Sequence, residues 1–90
     1  MVAIRVYISG KVQGVYFRAY TKGMADQLGL NGWVRNLQDG RVEALFQGSA
    51  GHITKILGWC RQGSPNSKVD SLQVEGHNLE PHHADFIIIA

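Results

Sequence analysis

The chain has one cysteine, no cluster of like charges and no long apolar run, and each shortage removes a class of protein. Cys60 alone cannot close an internal disulfide, so the fold has to stand on packing and suits a reducing compartment, with the cytoplasm as the expected location. Nine Lys and Arg against seven Asp and Glu leave a formal charge of +2, scattered along the chain, a balance too mild to imply nucleic acid as a partner. The longest apolar stretch, Phe86 to Ala90, falls far short of the roughly 20 residues a spanning helix needs, so no membrane insertion is expected. The opening segment, Met1 to Gly10, interrupts its apolar residues with Arg5 and lacks a charged leader and a small-residue cleavage site, which argues against a secretory signal.

What is present fits a single globular unit. A hydrophobic content of 44% with 18% charged residues is far too apolar for a disordered chain. A chain of 90 residues is the size of one domain, so residues 1–90 are expected to share one core.

Periodicity gives the elements. Ile4, Val6 and Ile8 alternate with Arg5, Tyr7 and Ser9, the period of a half-buried strand, which Gly10 ends. Phe17, Tyr20, Met24 and Leu28, flanked by Thr21 and Ala25, predict an amphipathic helix that stops near Gly29. Residues 32–37 and 41–47 are β-rich and flank Gln38-Asp39-Gly40, a strong hairpin signal that makes them antiparallel. Ile53, Ile56, Leu57 and Cys60 predict a second helix after the small residues 48–51, weakened by Gly58 and ended at Gln62-Gly63-Ser64-Pro65. Residues 68–76, with Leu72 and Val74 on one face, form a further strand candidate, and 84–89 close the chain as a β-branched run. The order βαββαβ predicts an α+β, ferredoxin-like sandwich: an antiparallel sheet with two helices on one face.

Two stretches carry chemistry. Gly10-Lys11-Val12-Gln13-Gly14-Val15-Tyr16-Phe17-Arg18 sets a short glycine-bearing loop between a strand and the first turn of a helix. Unpaired backbone N–H groups there, reinforced by the helix dipole, make an anion site, and Gly14 lets the backbone come close. Arg18 falls in that first turn, where a planar guanidinium can grip two phosphoryl oxygens and stays charged. The loop lacks the length and the Gly-Lys-Ser/Thr ending of a nucleotide-binding P-loop, so the site suits a tetrahedral dianion and not a whole nucleotide. Taken alone, the glycines also fit ordinary turns and Arg18 a solvated helix position.

The second stretch, Gly32 to Ala44, places Asn36 in an otherwise apolar hairpin. Asparagine is depleted in strands, and a carboxamide beside a phosphate site can both accept from and donate to a water molecule. The same residue also fits a strand end that begins the turn with Asp39 and Gly40. Both readings stand on spacing alone.

Together the two stretches resemble the acylphosphatase family, matching its Gly-x-Val-Gln-Gly-Val-x-Phe/Tyr-Arg and Gly-x-Val-x-Asn-x-x-Asp/Asn-Gly-x-Val-x-Ala signatures at every fixed position. The resemblance implies hydrolysis of acyl phosphates to a carboxylate and inorganic phosphate. Arg18 would bind phosphate with the backbone amides of Gln13, Gly14, Val15, Tyr16 and Phe17, and Asn36 would orient the attacking water. No cofactor or metal is implied, the partner is a small-molecule acyl phosphate or a similar anion in the site, and a monomer is expected. The ending at Ala90 lacks the polar or aromatic last residue of many relatives.

Other residues are read as structural. Cys60 lies on the apolar stripe of the second helix and reads as a packing thiol. Adjacent His82 and His83 point to opposite faces of a strand, and with His77 and His52 they match no metal-ligand pattern. One rival reading is RNA binding, which uses exposed sheet aromatics on a fold of this order, but residues 41–47 offer Phe46 alone and carry Glu43. The other is a non-catalytic anion-binding or regulatory module, which has no reason to pair Arg18 with a water-orienting Asn36.

Overall fold

In the computed structural model residues 1–79 and 81–89 are described; Ala90, the last residue of the closing apolar run, lies outside them. The elements are β1 (Val2–Lys11), α1 (Phe17–Leu28), β2 (Asn31–Asn36), β3 (Val42–Gly48), α2 (Ala50–Gln62), β4 (Lys68–Gly76) and β5 (Phe86–Ile88). Strand alternation in β1 turns Val6 and Ile8 into the core, where they meet Val34, Val42, Ala44 and Phe46 beneath the helices. α1 covers β2 and β5, and α2 covers β1, β3 and β4. The ferredoxin-like arrangement expected from the element order is therefore present.

The sheet runs β4-β1-β3-β2-β5, and one of its pairings departs from the antiparallel expectation. β1 is antiparallel to β3 and β4, and β2 to β3, but β5 runs parallel to β2, with Gly32 opposite Phe86 and Val34 opposite Ile88. The cause is topological. β4 finishes beside Ile4, at the end of the sheet where β2 begins, so a chain crossing along that end enters the far edge in the direction of β2. Parallel neighbours need such a crossover.

The crossover is held by hydrogen bonds. His77 N–H donates to the Ala3 carbonyl at 3.0 Å, and Gly32 N–H donates to the Asp85 carbonyl at 2.8 Å. Between them the buried Gln47 amide donates to the carbonyls of Leu79 (3.2 Å) and Pro81 (2.9 Å), while its oxygen accepts from His83 N–H at 2.9 Å. Phe86 then enters the core and stacks on Phe46 with ring centres 5.4 Å apart. Full burial of such a ring contributes about 1.5–3 kcal/mol, enough to hold a three-residue edge strand in register.

The apolar stripe of α1 differs from its expected position. Phe17, Thr21 and Ala25 face the core, Met24 and Leu28 are part-buried, and Tyr20 is 47% exposed. Residues four apart share a helix face, and the sheet takes the row that starts at Phe17. Thr21 enters this row without an orphaned hydroxyl, because its Oγ1 donates to the Phe17 carbonyl at 2.8 Å. In β4, Leu72 is part-buried against the core while Val74 is exposed. α2 begins at the Ser49 cap, whose hydroxyl accepts from His52 N–H at 3.2 Å.

The hairpin closes as its Asp-Gly pair predicts. Gly32 has φ 134°, and a Cβ there would run into the Leu45 carbonyl, so glycine is required where β2 approaches β3. Asp39 accepts from the Arg41 N–H at 3.1 Å and pairs with its guanidinium at 2.8 Å, contacts that hold the exposed carboxyl below its ordinary value.

Candidate active site

The loop between β1 and α1 is wound by two left-handed residues, Gly14 (φ 75°) and Tyr16 (φ 61°). Alternating backbone handedness turns successive N–H groups toward a common concavity. Glycine takes this conformation freely, whereas for tyrosine it costs on the order of 1–2 kcal/mol. Tyr16 is the sole non-glycine residue of positive φ among the described residues, and its side chain is exposed. Its carbonyl accepts from Tyr20 N–H at 3.1 Å and so opens the first turn of α1.

Three contacts fix the loop. Gln13 donates from its side-chain nitrogen to the carbonyls of Leu37 (2.7 Å) and Arg41 (2.9 Å), spanning the mouth of the hairpin. Ser64, buried after α2, donates to the Val15 carbonyl at 2.9 Å. The buried Val12, Val15 and Phe17 side chains anchor the loop in the core, and Phe17 packs on Trp59 with ring centres 5.3 Å apart. These contacts anchor the loop to the hairpin, to the segment after α2 and to the core.

Above it lies a cavity of about 380 Å³ lined by Val12, Gly14, Tyr16, Phe17, Arg18, Ala19, Asn36 and Ile88. The elements explain the meeting. α1 starts at Phe17 and so presents Arg18 in its first turn, while Asn36 is the last residue of β2, where the strand reaches the same end of the sheet. Arg18 has no ion pair among the described residues and is the sole charged side chain of the lining. Asn36 Oδ1 is buried and accepts no hydrogen bond from the described residues. An unpaired buried acceptor is costly, which marks the position as one that awaits a donor.

The sequence-derived site residues divide in two. Arg18 and Asn36 come together on the cavity with Gly14, Tyr16 and Phe17, whereas Gln13 and Val15 are outside its lining and tie the loop down. Ile88 was not anticipated, because it reaches the cavity through the parallel pairing of β5, which no local pattern encodes. Cys60 is fully buried on α2, and desolvation pushes its thiol up to about 12, which leaves it a packing group. No histidine lines the cavity, and among the described residues no three His, Cys, Asp or Glu side chains are grouped to hold a metal ion.

Fold and cavity together define a ferredoxin-like α+β protein whose cavity brings a first-turn arginine beside a carboxamide with an oxygen unpaired among the described residues. The sequence profile of the acylphosphatases matches residues 4–88, and the chain belongs to the acylphosphatase family, hydrolases of acyl phosphates. It is 49% identical over 83 residues to an acylphosphatase of Syntrophobacter fumaroxidans, a match covering 92% of this chain and 86% of that one. With an acylphosphatase of Rubrobacter xylanophilus it shares 53% identity over 72 residues, 80% of this chain and 66% of the relative. The crystal structure of the acylphosphatase from Bacillus subtilis superposes with a TM-score of 0.96 over the full length of both chains at 37% identity. No helix among the described residues is long and apolar enough to cross a membrane.

Proposed function

We propose that Arg18 and the N–H groups of the loop hold the phosphoryl group of an acyl phosphate while Asn36 aims a water molecule at phosphorus. The observation that carries this reading is the meeting of Asn36 and Arg18 on one cavity, where among the described residues Arg18 has no ion pair and the buried Asn36 Oδ1 no hydrogen-bond partner. A water donating to Oδ1 has its lone pair turned away from the carboxamide and toward a phosphorus held by the guanidinium. The new bond forms between water oxygen and phosphorus, the bond from phosphorus to the acyl oxygen breaks, and its electron pair leaves on the carboxylate. With no carboxylate, thiol or imidazole among the described residues of the lining, the water proton passes to a phosphoryl oxygen of the substrate.

Positioning and charge stabilisation carry most of such a reaction, because a carboxylate is already a good leaving group. Arg18 meets ground-state and transition-state charge alike, so its loss weakens both binding and turnover. No cofactor or metal enters the scheme. Residues 1–90 act as one domain, as a monomer in the cytoplasm, with no nucleic-acid partner. The helix-free sheet face supports the last point: Arg35 lies 5.3 Å over Trp33 and Arg41 lies 4.8 Å over Tyr7, so the chain's own cations cover rings that a base would need.

Hydrolysis in 18O-labelled water tests the direction of attack. Attack at phosphorus places one label in inorganic phosphate and none in the carboxylate. Label in the carboxylate would mean attack at the carbonyl and would discard the role given to Asn36.

A further inference from the structure

A second concavity adjoins the first. It measures about 330 Å³ and is lined by Ala19, Tyr20, Gly23, Met24 and Gln27 of α1 with Trp59 of α2. Ala19 lines both spaces, so the two share a wall at the first turn of α1. Among the described residues the second space carries no charged side chain, and its larger walls are two aromatic rings, a thioether and the Gln27 amide.

Gly23 gives this groove its depth. It sits mid-helix, where glycine costs about 1 kcal/mol relative to alanine, yet its φ is not positive and a Cβ there would touch nothing within 4 Å. Neither backbone strain nor close packing of the chain requires the missing side chain. Tyr20, expected from periodicity in the core, instead stands 47% exposed at the groove wall. Ala19 and Gly23 are one helical turn apart, roughly 6 Å along the axis, comparable to the reach of an aromatic acyl group from a phosphoryl group held beside Arg18.

We propose that the groove between α1 and α2 receives the acyl part of the substrate, which makes neutral, apolar acyl phosphates the favoured class. The proposal rests on hydrolysis taking place in the Arg18 and Asn36 cavity. Burial of an aromatic acyl group against Tyr20, Met24 and Trp59 gains affinity in proportion to the apolar area covered, whereas a charged acyl group would meet no opposite charge among the described lining residues, which offer it neutral polar groups alone: the Gln27 amide, the Tyr20 hydroxyl and the Trp59 indole N–H.

The test is the ratio of kcat/KM for benzoyl phosphate over acetyl phosphate, in the parent and in Gly23→Leu, which fills the groove at a position favourable to the helix. The ratio should fall by about tenfold or more in the variant, the scale on which an apolar pocket discriminates. Benzylphosphonate should also quench Trp59 in a Trp33→Phe background, and this quenching should weaken in Gly23→Leu. A ratio held within about twofold in a folded Gly23→Leu overturns the proposal. So does a loss of the ratio in Ile88→Ala alone, which would place the acyl group at the opposite lip of the cavity. Acetyl phosphate turnover untouched by Arg18→Ala would instead overturn the site of hydrolysis, and the groove assignment with it.

Discussion

Gln13 shows at the scale of one residue how the site is joined. Its side-chain nitrogen ties the β1–α1 loop to the Leu37 and Arg41 carbonyls, joining the loop to the hairpin whose strand carries Asn36. Gln13→Ala removes two hydrogen bonds and should cost about 1–2 kcal/mol of stability, read from the urea midpoint. It should lower kcat/KM by about tenfold, because small misplacements between bound group and nucleophile are expensive. The meeting of Arg18 and Asn36 on one cavity was legible in the sequence because each breaks a local expectation within a recognisable motif: a cation after a glycine loop, and an amide in an apolar hairpin. The strut formed by Gln13 was not legible, since the spacing of 13 and 37 says nothing of which side chain spans them.

Among the elements, β5 is the clearest example of a feature that local sequence under-determines. A β-branched run predicts a strand, but its partner and direction follow from where β4 ends and how the crossover is held. The buried Gln47 side chain makes three hydrogen bonds to that crossover. Lys22 adds a bond from α1, donating to the Phe86 carbonyl at 2.8 Å. Gln47→Ala should therefore destabilise the protein by about 1–3 kcal/mol and raise amide exchange at Gly32 and Ile89, whose N–H groups donate to Asp85 and Val34 across the β5 edge. Exchange unchanged at those amides would mean that Phe86 packing alone holds the strand. The displaced stripe of α1 has a similar lesson. Periodicity found the helix, but a threonine able to bond its own turn took the core row, and Tyr20 was left at the groove wall.

For the whole molecule, element order and hydrophobic alternation were enough to give the ferredoxin-like sandwich, because each strand and helix has one apolar face and few ways to bury it. What they could not give was the convergence at one end of the sheet. Arg18, Asn36 and Ile88 come from α1, β2 and β5, and they meet only once the crossover has set the direction of β5. The proposed anion site would also couple ligand to fold. Inorganic phosphate should raise Tm, by an amount equivalent to about 2.7 kcal/mol at a hundred times its Kd. In Arg18→Ala the rise should largely vanish at the same concentration, as differential scanning calorimetry can check.

In the proposed mechanism Asn36 acts on water and not on the phosphoryl group. The direct test compares kcat for acetyl phosphate and the inhibition constant of inorganic phosphate in the parent and in Asn36→Ala. Turnover should fall by a factor of about 10² to 10³, the usual cost of one lost positioned group, while phosphate affinity stays within about twofold. Equal losses in both would make Asn36 a phosphate ligand, and turnover unchanged by the substitution would contradict the account.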